Sequence, residues 1–102
     1  MIEQVQNKLE TLAKLCANYQ VTRLELFGSA ATDSFDAKKS DIDFLVKFEK
    51  LSPKEHADAY FGLLASLQDL FGISIDLLEA GAVRNPFLLE SIDESRTTLY
   101  AA

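Results

Sequence analysis

The sequence holds one cysteine, one histidine, no tryptophan, two prolines and four glycines in 102 residues. The lone Cys16 has no partner for an internal disulfide, which excludes the small oxidised scaffolds that depend on such bridges. No apolar run approaches the roughly 18 residues of a membrane span. The first residues, MIEQVQNKLETLAKLC, carry charges where a signal segment would be apolar. A reducing, cytoplasmic setting is therefore expected, with no membrane partner. Basic residues are also scarce: 10 Lys and Arg face 16 Asp and Glu, for a net charge of −6. Affinity for a polyanion comes largely from Lys and Arg neutralising phosphates, so a stand-alone DNA or RNA binder is disfavoured. A small phosphorylated substrate that arrives with its own Mg²⁺ is not.

What the chain does have is apolar surface, 48% of its residues with 10% aromatics, enough to hide roughly two thirds of the surface that an unfolded chain of this length exposes. No repeat, low-complexity stretch or linker divides it, so one domain over residues 1–102 is expected. Ile2, Val5, Leu9, Leu12, Ala13 and Cys16 recur at helical spacing and predict an amphipathic helix from Ile2 to about Asn18, with Cys16 a small core residue. Leu24-Glu25-Leu26-Phe27, stopped by Gly28, reads as a buried strand, residues 30 to 40 as a short helix or irregular loop, and Ile42 to Phe48 as a central strand. Ser52-Pro53-Lys54-Glu55 has the form of a capping box and opens a helix whose apolar stripe runs through Ala57, Tyr60, Phe61, Leu64, Leu67 and Phe71 to a stop at Gly72. Residues 73–78 predict a third strand, Asn85-Pro86 a helix to about Glu94, and residues 97–100 a short last strand. The fold class expected is α/β (α+β): a small mixed sheet of three to four strands covered by helices.

Polar residues at the strand ends are what a plain core would not require. Side chains alternate along a strand, so Asp41 and Asp43 share one face while Ile42 and Phe44 enter the opposite layer. Two carboxylates so placed repel unless a cation or shared proton intervenes, and hard divalent cations such as Mg²⁺ select oxygen ligands. Asp76, between Ile75 and Leu77, reads as a buried carboxylate in need of a partner. If its strand neighbours the second one, Asp41, Asp43 and Asp76 form a cluster for two metal ions, the arrangement that clamps the attacking and leaving oxygens of an in-line displacement at phosphorus. Gly28 lets the backbone approach a phosphate and Ser29 hydrogen-bonds it. An Asp-x-Asp or Gly-Ser alone is weak evidence; its weight comes from the order of strands around it.

LFGS, then SDIDFLV, then ISIDLLE resembles the minimal nucleotidyltransferase domain of the DNA polymerase β-like superfamily over about residues 20 to 100. The resemblance implies that Gly28 and Ser29 cradle a triphosphate, that Asp41 and Asp43 ligate two Mg²⁺ ions, and that Asp76 completes the metal site and helps activate an acceptor hydroxyl. It implies transfer of a nucleoside monophosphate, AMP from ATP, with release of pyrophosphate. Small stand-alone members of the family act as antitoxins that adenylylate a tyrosine of a HEPN-type toxin, and an acidic chain suits a protein acceptor better than a nucleic acid. Homo- or hetero-oligomeric assembly is left open.

Two departures stand beside the likeness. Residues 30 to 40 make the spacing between the motifs one residue longer than usual, and Thr32-Asp33 replaces the usual Arg-Gly, with Asp36 adding further negative charge. They motivate a second expectation, a catalytically weak module that neutralises a partner by binding it. Lys38 and Lys39 read as a solvated loop face, or as basic residues that compensate for the missing arginine. Arg84 reads as solvated or bonded at a helix start, or as a phosphate contact. His56 reads as solvated or locally bonded, and Tyr19, Tyr60 and Tyr100 as packing residues. Attachment of nucleotides to small molecules is a weaker expectation, because relatives with that activity carry further domains.

Overall fold

The computed structural model describes residues 1–32, 34–36 and 38–102. Its order is α1 (Glu3–Gln6), α2 (Leu9–Asn18), β1 (Val21–Phe27), a 3-10 turn (Gly28–Ala31), β2 (Ile42–Phe48), α3 (Pro53–Phe71), β3 (Ile75–Glu79), a second 3-10 turn (Ala80–Ala82), α4 (Pro86–Ser95) and β4 (Thr97–Ala101). The strands form one mixed four-stranded sheet in the order β3-β2-β1-β4. β1 runs antiparallel to β2 and β4, while β2 and β3 are parallel and joined through α3, the crossover that parallel strands require.

One face of the sheet carries the main core. Leu24 and Leu26 of β1 and Ile42, Phe44 and Val46 of β2 lie on it, under Leu12 and Cys16 of α2 and Leu63 and Leu67 of α3. Complete burial of each leucine or phenylalanine contributes roughly 1.5–3 kcal/mol before conformational entropy is charged against it. Burial also pushes the Cys16 thiol up to about 12, so it stays protonated and inert, as a core cysteine should. The opposite face is thinner: Phe27, Leu45 and Ile92 form a small cluster with Leu78 and Val83, covered by α4.

Four expectations shift. The helix expected over residues 2–18 is broken at Asn7 and Lys8, where the Lys8 amide bonds the Val5 carbonyl in place of a carbonyl one residue farther back. The chain before the break is tied elsewhere, the Ile2 amide donating to the Ala30 carbonyl at 2.8 Å. The break re-phases α2, and Leu9, expected on the stripe, is exposed. In α3 the capping box forms as expected, with Glu55 N–H to Ser52 Oγ and Ser52 N–H to Glu55 Oε1, and Gly72 ends the helix at φ 63°. Its buried row, however, is Ala59, Leu63 and Leu67, and Phe61 is 65% exposed. Small residues set that rotation: a Cβ at Gly62 would overlap the Tyr19 ring, so the glycine lets α3 seat against the end of α2, where Tyr19 Oη bonds Ser66 Oγ at 3.1 Å. β1 begins at Val21, three residues ahead of Leu24, because its pairing with β2 extends to Phe48, and β3 begins at Ile75 and not at Ile73.

Candidate active site

The register of the sheet assembles the site. Phe27 pairs with Asp43 across β1 and β2, and Asp43 pairs with Asp76 across β2 and β3. Since β2 turns Ile42 and Phe44 into the main core, Asp43 faces the other way. The Ile42 amide donates to the Ser74 carbonyl at 3.0 Å, which fixes the start of β2 against the start of β3 and leaves Asp41 exposed at the strand mouth. Gly28, directly after Phe27, has φ 73°, and a Cβ there would overlap the Asp43 carboxylate. Both the left-handed conformation and the close approach demand glycine. The turn brings Ser29 beside it, and among the described residues the Ser29 side chain has no hydrogen-bond partner.

The electrostatics follow from this placement. Burial raises the Asp43 carboxyl to about 6, with the charges of Asp76 and then Asp41 adding to the rise. Asp76 itself is exposed, which corrects the expectation of a buried carboxylate: β3 is an edge strand, and residue 76 faces the side of the sheet that has the thinner cover. Among the described residues no three of the His, Cys, Asp and Glu side chains stand close enough to make a ready metal cage. The donor set still fits a hard cation. All three groups offer carboxylate oxygens, and burial, with the charges of the other two, holds Asp43 against its own ionisation, a penalty that a divalent cation offsets.

Several residues fall away from the site. A cavity of about 700 Å³ lies at the other end of β2 and β3, lined by residues that include Phe48, His56, Glu79 and Arg84, and none of the five expected site residues borders it. His56 there bonds Glu79 Oε1 and packs against the Phe48 ring, a locally satisfied histidine as expected. Tyr60 donates to the Leu77 carbonyl at 2.7 Å and Tyr100 packs against the core. Arg84 is exposed beside Asn85, which caps α4. Asp36 accepts from the Lys38 amide at 2.9 Å, and Lys38 and Lys39 are exposed. Asp33 lies outside the described residues.

Sequence reasoning passed over one cluster next to the site. Glu25 of β1, 3% exposed, accepts two bonds of 2.8 Å from Arg96 and one of 3.1 Å from Arg23. The Arg96 hydrogen bonds hold its carboxyl below the usual range despite burial, with help from Arg23. A charged residue inside the apolar run Leu24-Glu25-Leu26-Phe27 was the available signal. Ser95, the residue before Arg96, accepts the Gly28 amide hydrogen at 2.9 Å.

A four-stranded mixed sheet that sets a Gly-Ser turn beside aspartates on two parallel strands defines a class, and comparison with known proteins agrees. The family model for the nucleotidyltransferase domain matches residues 9–99, so the chain belongs to that family and is a nucleotidyltransferase. Among its relatives, one from Methanocaldococcus jannaschii named "Putative protein adenylyltransferase" is 40% identical over 76 residues, 74% of each chain. A second of the same name and organism is 31% identical over 94 residues, 91% of this chain and 89% of the relative. A solved "putative minimal nucleotidyltransferase" superposes with a TM-score of 0.70 at 28% identity, covering 93% of this chain and 92% of that one. The MNT antitoxin of a complex with a tri-AMPylated HEPN toxin from Shewanella oneidensis shares the fold, with a TM-score of 0.64 at 19% identity over 96% of this chain and 73% of that one.

Proposed function

We propose that the chain moves AMP from ATP to a hydroxyl of a partner protein, the acceptor being a tyrosine of a HEPN-type toxin for which it serves as antitoxin. The observation that carries this is the convergence of Gly28, Asp43 and Asp76 through two adjacent strand registers. Relatives named for protein adenylylation and the solved HEPN–MNT complex support it. So does the exposed apolar run Phe87, Leu88 and Leu89 on α4, a surface suited to another protein. Residues 1–102 then act as one domain in the cytoplasm, and the acceptor comes from another chain.

In this proposal Asp41, Asp43 and Asp76 hold two Mg²⁺ ions, which when bound supply positive charge to the triphosphate and the attacking oxygen. The chain's own groups do the rest. Ser29 hydrogen-bonds the phosphates and, with the turn at Gly28, fixes the α-phosphorus relative to β2. Asp76, exposed on the edge strand, is reachable by a hydroxyl presented from outside and takes its proton as the O–P bond forms and pyrophosphate leaves. Positioning and charge neutralisation lower the barrier, with no covalent intermediate on the enzyme.

A second reading, a module that neutralises its partner by binding alone, is favoured by the absence of a ready metal cage among the described residues. Incubation of the chain and a HEPN-type partner with labelled ATP and Mg²⁺ separates the two. Label on the partner that disappears with Asp41→Asn and Asp43→Asn is the result expected. A tight complex with no label from the unaltered chain overturns transfer and leaves the binding module.

A further inference from the structure

Ser95 belongs to none of the motifs named above, yet it is bonded to Gly28. Its hydroxyl accepts the Gly28 amide hydrogen at 2.9 Å and donates to the Ser91 carbonyl, 3.5 Å away and one turn back in α4. The 2.9 Å bond from the Gly28 amide is the close one; the reach to Ser91 is long for an O–H···O bond. The next residue, Arg96, grips Glu25 with two bonds of 2.8 Å, and Glu25 lies on β1 just ahead of the turn. The end of α4 is thus fastened to the end of β1 at two successive residues, once to a buried carboxylate and once to the turn itself.

Glycine has the widest conformational range of any residue, so a single conformation at Gly28 needs something to select it. The Asp43 carboxylate closes the space on the Cβ side of its Cα, and the Ser95 hydroxyl holds its amide. We propose that Ser95 is a positioning residue for nucleotide transfer, holding the Gly28–Ser29 turn in the conformation that presents the Ser29 hydroxyl to a nucleotide's phosphates. This rests on Gly28–Ser29 being the phosphate turn. Ser95 touches no reacting atom and acts through Gly28. Because the Gly28 N–H is engaged by Ser95, phosphate recognition at the turn falls to Ser29.

The test uses the full chain with Ser95→Ala and Ser95→Thr, and a non-hydrolysable ATP analogue with Mg²⁺ as the probe. Loss of one well-placed hydrogen bond corresponds to about tenfold in an equilibrium constant. Ser95→Ala is expected to weaken analogue binding in calorimetry by about tenfold, and Ser95→Thr, which keeps the hydroxyl, to restore it to within about twofold. In the nucleotide-free protein, exchange of the Gly28 amide hydrogen followed by NMR speeds up by about tenfold in Ser95→Ala while the Leu24 and Leu26 amides keep their rates. Unaltered analogue affinity in Ser95→Ala overturns the positioning role. Failure of the unaltered chain to bind the analogue overturns the phosphate turn itself, whatever Gly28 exchange shows, so the two failures are told apart.

Discussion

Asp43 and Asp76 face each other in register across two parallel strands, and no cationic side chain is bonded to either among the described residues. Their like charges cost the metal-free fold stability.

Asp43→Asn therefore separates stability from activity. Replacing a partly buried, repelled carboxylate by a neutral amide of the same shape is expected to stabilise the metal-free chain by about 1 kcal/mol, or roughly 4–8 °C in melting temperature at this size. Nucleotide transfer falls by about 100-fold or more in the same variant. Differential scanning calorimetry beside the labelled-ATP assay checks both, and a lower melting temperature contradicts the account.

The pH dependence has two limbs of opposite sign. Asp43 has a folded pKa raised to about 6 from the ordinary 3.8, so the folded chain binds its proton first and metal-free stability rises as pH falls from about 7 toward the ordinary value of 3.8. Glu25 is lowered from 4.5; its contribution is present above that value and is lost as pH falls through the folded pKa. Melting temperature in a chelator should keep rising as pH falls through about 6 and turn down only below about pH 4.5, where Glu25 begins to lose its contribution. Asp43→Asn flattens the upper limb and Glu25→Gln the lower one, and Mg²⁺ with nucleotide opposes the rise on the upper limb.

Breaking the Glu25–Arg96 pair is expected to cost the fold more than any other single change near the site. Glu25 is deeply buried while the Arg96 side chain is 41% exposed, so Glu25→Ala leaves an arginine that water still reaches. A loss of about 3 kcal/mol is expected, the low end for buried pairs. Arg96→Lys recovers little of the pair, since an ammonium cannot make the two-pronged contact. Urea midpoints with unchanged slopes measure both.

Gly28→Ala meets two penalties, the left-handed backbone and the Asp43 carboxylate. About 2 kcal/mol of destabilisation is expected. Asp43→Ala in the same chain removes the overlap but not the backbone cost, so a double-mutant cycle should give a coupling above about 0.5 kcal/mol. Additive effects place the carboxylate away from Gly28.

Much of this was legible in the linear chain because the signals were local. The capping box of α3, the glycine stop at Gly72 and the alternation of Ile42, Asp43 and Phe44 each depend on neighbours a few residues apart, and each element formed. The pairing that brings Asp76 to Asp43 is not local, and it entered only as a condition on which strands are neighbours. Burial was assigned to the wrong acid. Asp76 and Glu25 both sit between apolar residues, but only the sheet order shows that one lies on an edge and the other on a strand paired on both sides. The arginines that satisfy Glu25 come from Arg23, two residues away, and from Arg96, far along the chain, and the second has no signature in sequence. The rotation of α3 that exposes Phe61 was hidden for the same reason, since it depends on the fit of Tyr19 over Gly62.

The place of β3 at the border of the sheet bears on motion as well as on access. A strand hydrogen-bonded on one side has fewer bonds to release than its inner neighbours, so β3, like the other border strand β4, is expected to open before β1, β2 and the main core. Such an opening carries Asp76 away from Asp43 without unfolding the chain. Under the proposed function, a cation held by Asp43 and Asp76 would keep that border shut, so amide exchange in residues 75–79 is expected to slow when Mg²⁺ and nucleotide are added.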